Sequence, residues 1–256
     1  MPFDNSCGED TEINQTIHEI WEPERWELAV KLTGDSKILF LAEIIRSKLV
    51  QSRFHLKNIL YFDIETGDTE SFNTSGADGG RINNQIIQYE LESLLYILNR
   101  ILDLLAALIA IIYGIHIPDG EVHFQDFFPR SGGGNHSKSF LIFNELRRKD
   151  TILAGQLSAF YFSEENRLLL GCLQHQHFSN PFIPVKYVSQ PSTTGHEIHA
   201  DSFSTQYKAG IFDAGSVIML EKTYREAVCK FGRIIFNHLN YQPILIHYFS
   251  GYQALE

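Results

Sequence analysis

The chain has 256 residues, 44% of them hydrophobic, which is enough apolar material for a full core and excludes a largely disordered chain. Its 31 acidic residues outnumber 21 basic ones, giving a formal charge of −10. That balance excludes a general nucleic-acid coat, because nonspecific phosphate binding needs many Lys and Arg to release counterions, while a local basic pocket stays open.

In chain order, residues 1–12 read as a polar, acidic leader with neither the basic start nor the apolar centre of a signal peptide, so secretion is not expected. Ile13 to Leu32 reads as one or two short helices broken at Pro23, which can occupy the first turn of the second, and Gly34 closes that unit. Asp35 or Ser36 can cap a helix from Ile38 to about Phe62, with Phe40, Leu41, Ile44, Ile45, Leu49, Phe54, Leu56 and Leu60 at three- and four-residue spacing and Arg46, Lys48, Arg53 and Lys57 outside. That basic stripe reads first as a solvated face and second as a surface for RNA. The segment 66–82, rich in Gly, Ser, Thr, Asp and Asn, reads as a loop.

Asn83 to Ile117 follows as a long central helix without proline. Glu92, Asn99 and Asp103 fall within roughly 40° of one another around it and form one polar seam on an otherwise apolar rod. A helix apolar on nearly all sides is buried, and carboxylates on it need partners or a task. The structural alternative pairs Glu92 and Asp103 with Arg46, Arg53, Lys57 or Arg167. The most membrane-like run, Leu104 to Ile117, is shorter than the roughly twenty residues that span a bilayer, so it reads as a core helix and no membrane is expected.

Pro118 to Gly120 makes a turn, Glu121 to Phe128 reads as a short extended segment, and 129–136, with three consecutive glycines, is a second loop. Ser137 or Ser139 starts a helix through Arg148, and Asp150 or Thr151 caps another through Leu173. The region 174–212, with Pro181, Pro184, Pro191 and an alternating Ile183, Val185 and Tyr187, is loop-rich and partly extended. Asp213 opens a last helix that stops at about Asn240, before Pro243. The expected architecture is mainly α, a single-domain bundle of about five to six helices around a long buried central one. Cys7, Cys172 and Cys229 are odd in number and include no Cys-x-x-Cys pair, which fits a reduced, cytoplasmic setting.

The segment Tyr89 to Phe128, YELESLLYILNRILDLLAALIAIIYGIHIPDGEVHFQDFF, resembles the signature helix and following turn of uncharacterised prokaryotic groups in the HEPN superfamily. The matching features are Glu92 early in the helix, Asp103 within the L-D-x-L-A pattern of Leu102 to Ala106, a run ending at Tyr113, and an acidic turn leading to Val122-x-Phe124. The resemblance implies one helical-bundle domain over 1–256, commonly a homodimer, and a metal-independent RNase or an inactive RNA-binding relative in a defence or stress system. RNA and a neighbouring toxin–antitoxin or defence protein are the further partners it implies. In active members an R-x4-6-H motif places a His for acid/base cleavage through the RNA 2′-hydroxyl and an Arg against the phosphorane-like charge.

Where that motif is expected, this chain reads LLLGCLQHQHFSN, with no arginine beyond Arg167. The spacing recurs at Arg130 with His136, across the glycine loop, and at Arg233 with His238 in the last helix. The catalytic candidates are therefore Glu92, Asn99, Asp103, Arg233 and His238, with no cofactor expected.

A separate set suggests a divalent metal. His175 and His177 are spaced to point to one face of an extended strand, and His196, His199 and Asp201 lie in GHEIHAD, so together they offer ligands for Zn, Mn or Fe with a position open to water. The plainer reading is of surface or hydrogen-bonded histidines. Three functions stay open: a HEPN-like RNase or RNA-binding protein, a metal-dependent hydrolase, and a non-enzymatic dimeric scaffold.

Overall fold

The computed structural model describes residues 6–67, 78–117, 120–128, 137–163, 166, 185–188, 197–200, 211–212 and 214–252. The fold is mainly α-helical, with a long, largely buried central helix. Helix α1, Ser6–Trp21, begins inside the expected leader. Pro23 opens a 3-10 turn, Pro23–Trp26, and α2, Glu27–Thr33, ends at Gly34 in the left-handed region at φ 76°. Helix α3, Lys37–Gly67, starts where the Asp35 carboxylate accepts the Lys37 N–H at 2.9 Å.

Helix α4, Asp78–Ile112, starts earlier and ends earlier than its apolar pattern indicates. Gly114, at φ 55°, closes it. The Ile115 N–H reaches back to the Ala110 carbonyl at 2.9 Å and the Gly114 N–H to that of Ile111 at 3.1 Å, the paired bonds of a Schellman end. By length and composition alone Tyr89–Ile112 could cross a membrane, and 61% of its apolar window is buried inside the protein.

Residues 121–128 are extended only in part: His123 and Phe128 are, and between them lies a second 3-10 turn, Phe124–Phe127. The Asp126 carboxylate accepts the His123 N–H at 3.0 Å and fixes that turn locally. Helices α5, Lys138–Lys149, and α6, Thr151–Tyr161, follow, with Ser137 capping α5 through the Phe140 N–H at 3.3 Å. The helix expected to run to Leu173 ends at Tyr161, and just beyond it the Ser163 hydroxyl accepts the Asn166 N–H at 3.3 Å.

Strands β1, Val185–Val188, β2, Glu197–Ala200, and β3, Ile211–Phe212, form an antiparallel sheet in that order. The last helix, α7, Ala214–Tyr252, does not stop before Pro243. A proline costs one intrahelical bond, and the run Ile244, Leu245, Ile246 is apolar and free of glycine, so the helix carries on past it. The loops expected at 129–136 and over most of 66–82 and 174–212 lie outside the described residues.

The chain divides into two compact units, one of Met1–Ser47, Ile101–Tyr161 and Glu226–Glu256, the other of Lys48–Arg100 and Phe162–Arg225. The first unit is organised by aromatics. Trp21 stacks on Trp26 with centroids 5.3 Å apart, Trp26 meets Phe236 edge-on at 6.4 Å, and Phe128 stacks on Tyr161 at 4.0 Å. Such pairs contribute about 0.5–1.5 kcal/mol each beyond area burial. Gly232 lets α7 approach α1: a Cβ there would lie 2.7 Å from Ile20 Cγ2 and 2.8 Å from Trp21 Cζ2.

The second unit packs Leu49, Leu56 and Ile59 of α3, Leu91, Leu94, Leu95 and Leu98 of α4, and Val217, Leu220 and Tyr224 of α7, all buried. Tyr224 donates to Asn166 Oδ1 at 2.6 Å within it.

Candidate functional site

The closing turn of α4 leaves carbonyls that need donors, and α5 supplies one. Lys149 Nζ donates to the carbonyl of Tyr113 at 2.5 Å and to that of Gly114 at 3.1 Å, and it also pairs with Glu145 at 3.1 Å. A cation at a helix C-terminus meets the negative end of the dipole, so Lys149 both caps α4 and neutralises it.

The next residue, Asp150, begins α6. Its Oδ1 accepts the Leu153 N–H at 2.8 Å, and its Oδ2 accepts the Tyr113 hydroxyl at 2.7 Å. His238 Nδ1, from α7, lies 3.8 Å from the same Oδ2, an electrostatic contact longer than a hydrogen bond. The His238 ring packs on that of Tyr113 with centroids 4.6 Å apart and tilted by 34°. Burial first, and then the neighbouring Asp150, push the Tyr113 hydroxyl far above its ordinary range, so it stays protonated and acts as a donor. His238 is about a quarter exposed, so its ring is both held and reachable.

The same unit uses Asp103 differently. Its Oδ1 accepts the Phe124 N–H at 3.0 Å, and its Oδ2 sits 3.4 Å from His123 Nδ1. The aspartate of the L-D-x-L-A pattern therefore holds the start of the V-x-F turn. Phe124, aimed inward by that turn, packs edge-on against Phe128 and Phe160. None of the four cations considered as partners for Asp103 is the one it meets here.

The catalytic candidates are not brought together as one group. Glu92 and Asn99 are half-buried in the unit containing Lys48–Arg100, whereas Asp103 and His238 belong to the other. Arg233 is exposed. Five positions along a helix amount to about 140° of rotation, so Arg233 and His238 leave α7 on different faces. Of the metal candidates, His175, His177, His196 and Asp201 lie outside the described residues, as do Arg130 and His136. His199 is in β2, its backbone opposite Lys186 and Ile211.

Tyr113, Lys149 and Asp150 become visible only in three dimensions. The sequence marks Asp150 as a helix cap and Tyr113 as the end of an apolar run, and contains no signal that joins either to His238. Among the described residues, no group of three or more His, Cys, Asp and Glu is arranged to hold a metal ion. Compared with protein-family models, with characterised proteins and with solved structures, the chain has no significant match.

Proposed function

We propose that this chain is a HEPN-like helical protein that acts on RNA in a prokaryotic defence or stress system, with His238 as its proton-transfer residue. The observation that carries this reading is the placement of His238 against Asp150 and Tyr113, since a carboxylate beside Nδ1 orients an imidazole for acid/base work. The forty-residue likeness around Glu92, Asp103 and Tyr113 supports it from the sequence side. In the proposed reaction His238 takes the proton of an RNA 2′-hydroxyl. The freed oxygen attacks the adjacent phosphorus, and the 5′-oxygen leaves with a proton returned to it. The proposed working form is a cytoplasmic homodimer without a cofactor.

The test is cleavage and binding of total RNA by purified protein, with His238→Ala and Asp150→Asn compared by thermal melting. Loss of RNA cleavage in His238→Ala with a near-native melt supports the proposal. Intact RNA with the native protein, or equal activity in His238→Ala, overturns it.

One observation favours a second reading, a non-enzymatic scaffold. Both Asp150 oxygens already serve the fold, one as the α6 cap and one as acceptor for Tyr113. In that case His238→Ala lowers the melting temperature and changes nothing measured on RNA. The metal-hydrolase alternative is checked in the same preparation by its bound metal content.

A further inference from the structure

His55 and Asn58 are three residues apart on α3, a spacing that turns both toward one neighbour, and that neighbour is Glu90 of α4. His55 Nδ1 lies 2.5 Å from Glu90 Oε2, and Asn58 Nδ2 donates to Glu90 Oε1 at 3.1 Å. All three belong to the second unit. An ionised carboxylate only accepts, so the proton of this contact sits on Nδ1 and the neutral ring keeps its lone pair on Nε2. Nε2 makes no hydrogen bond among the described residues. Trp21 Nε1 is the one buried side-chain polar atom without a partner among them, so His55 Nε2 is open to solvent. The imidazole is therefore an acceptor of fixed direction that the fold leaves unused.

Aromatic rings stand beside it in water. Phe54 is 59% exposed and meets the His55 ring edge-on, with centroids 5.6 Å apart. Tyr89, which directly precedes Glu90, is 52% exposed. Tyr96 is 63% exposed and follows Tyr89 by seven residues, about 20° around the helix, so both rings leave α4 on one side. Exposed rings next to an oriented acceptor suit a ligand with flat faces and a hydroxyl donor. Nucleobases stack on such rings whatever their sequence, and the ribose 2′-hydroxyl is the donor that DNA lacks.

We infer that this face of α3 and α4 binds single-stranded RNA, with Phe54, Tyr89 and Tyr96 stacking bases and His55 Nε2 accepting a 2′-hydroxyl to select RNA over DNA. The inference rests on the proposed action on RNA and names where the strand is held. Glu90 is a positioning residue: it fixes the tautomer that makes Nε2 an acceptor, and Asn58 holds Glu90.

The experiment measures fluorescence anisotropy of a labelled single-stranded RNA and of the DNA strand of the same sequence, in the native full chain and in a His238→Ala background that keeps the RNA whole. RNA should bind about fivefold more tightly than DNA, the effect of one hydrogen bond. His55→Ala should bring that ratio close to one, and Glu90→Gln, which frees the tautomer, should lower it with a near-native melt. Phe54→Ala and Tyr89→Ala replace exposed rings, so the fold tolerates them; each should weaken RNA and DNA alike by about fivefold or more, leaving the ratio in place.

No binding of either strand overturns the site, as does an affinity unchanged in both Phe54→Ala and Tyr89→Ala, or an RNA-to-DNA ratio indifferent to His55→Ala. RNA cleavage that needs His238 but ignores all of these substitutions upholds the proposed function and overturns the site. RNA held through these residues by a native chain that leaves it uncut upholds the site and overturns the catalytic reading.

Discussion

Asp150 and Asp103 show how one carboxylate serves local and long-range ends at once. Asp150 caps α6 through the Leu153 N–H and receives the Tyr113 hydroxyl, so Tyr113→Phe removes one partly buried hydrogen bond and should cost about 1 kcal/mol in a denaturant titration. The same pair predicts a pH dependence. In the fold the Tyr113 hydroxyl titrates above its ordinary value of 10.0, so above that pH the native chain holds a proton that the unfolded chain releases. Stability from this group is complete below pH 10.0 and falls as the pH rises beyond it. In Tyr113→Phe that part of the alkaline loss should vanish; a curve parallel to the native one would refute the assignment. Asp103→Ala should lower stability by about 1–2 kcal/mol, because it leaves the Phe124 N–H without its acceptor. If Asp103→Ala instead melts like the native chain and loses RNA activity, Asp103 is a reacting group rather than a cap.

Two glycines define how helices end and meet. Gly114, at φ 55°, closes α4 in a conformation that costs an L-residue about 1 kcal/mol, and its Cβ position is only in ordinary contact with Lys149 Nζ at 3.8 Å. Gly114→Ala should therefore be mildly destabilising. Gly232→Ala should be worse, about 1–3 kcal/mol, because the new methyl lies 2.7 Å from Ile20 and 2.8 Å from the Trp21 ring. Chemical denaturation of both variants checks the order, and equal losses would mean that α1 yields more easily than the Trp21–Trp26 stack suggests. The same positions mark what the sequence conveys. Gly34, Pro23, Asp35, Ser137 and Asp150 act locally, through backbone angles and caps within four residues, and each stands where its residue type predicts. The alternation at Val185 and Tyr187 likewise foretells β1. Ends decided by competition are harder: Gly114 stops α4 although apolar residues continue to Ile117, α6 ends at Tyr161 short of Leu173, and α7 runs through Pro243. The candidate site was legible only in its histidine. What His238 touches depends on where α7 is laid against the turn between α5 and α6, and no periodicity encodes that placement.

For the molecule as a whole, charge sets the terms on which RNA can be met. With 31 acidic and 21 basic residues the surface mostly repels a polyanion, so any binding must come from a few well-placed cations. Arg53 and Arg225 are two such cations gathered on one carboxylate. Each phosphate contact with a single strand contributes about −0.7 to the slope of log affinity against log salt, so two contacts give roughly −1.4. Between 50 and 200 mM salt that amounts to a loss of roughly sevenfold, where a broad basic surface with about six contacts would lose roughly three-hundredfold. Fluorescence anisotropy of a labelled single-stranded RNA across that range should return the shallow slope. It should become shallower still, by about one contact, in Arg53→Gln, which removes one of those charges. A steep slope left untouched by that substitution would move the contact to a dispersed basic face, such as the Arg46, Lys48 and Lys57 side of α3, and remove the buried pair from the account of RNA binding.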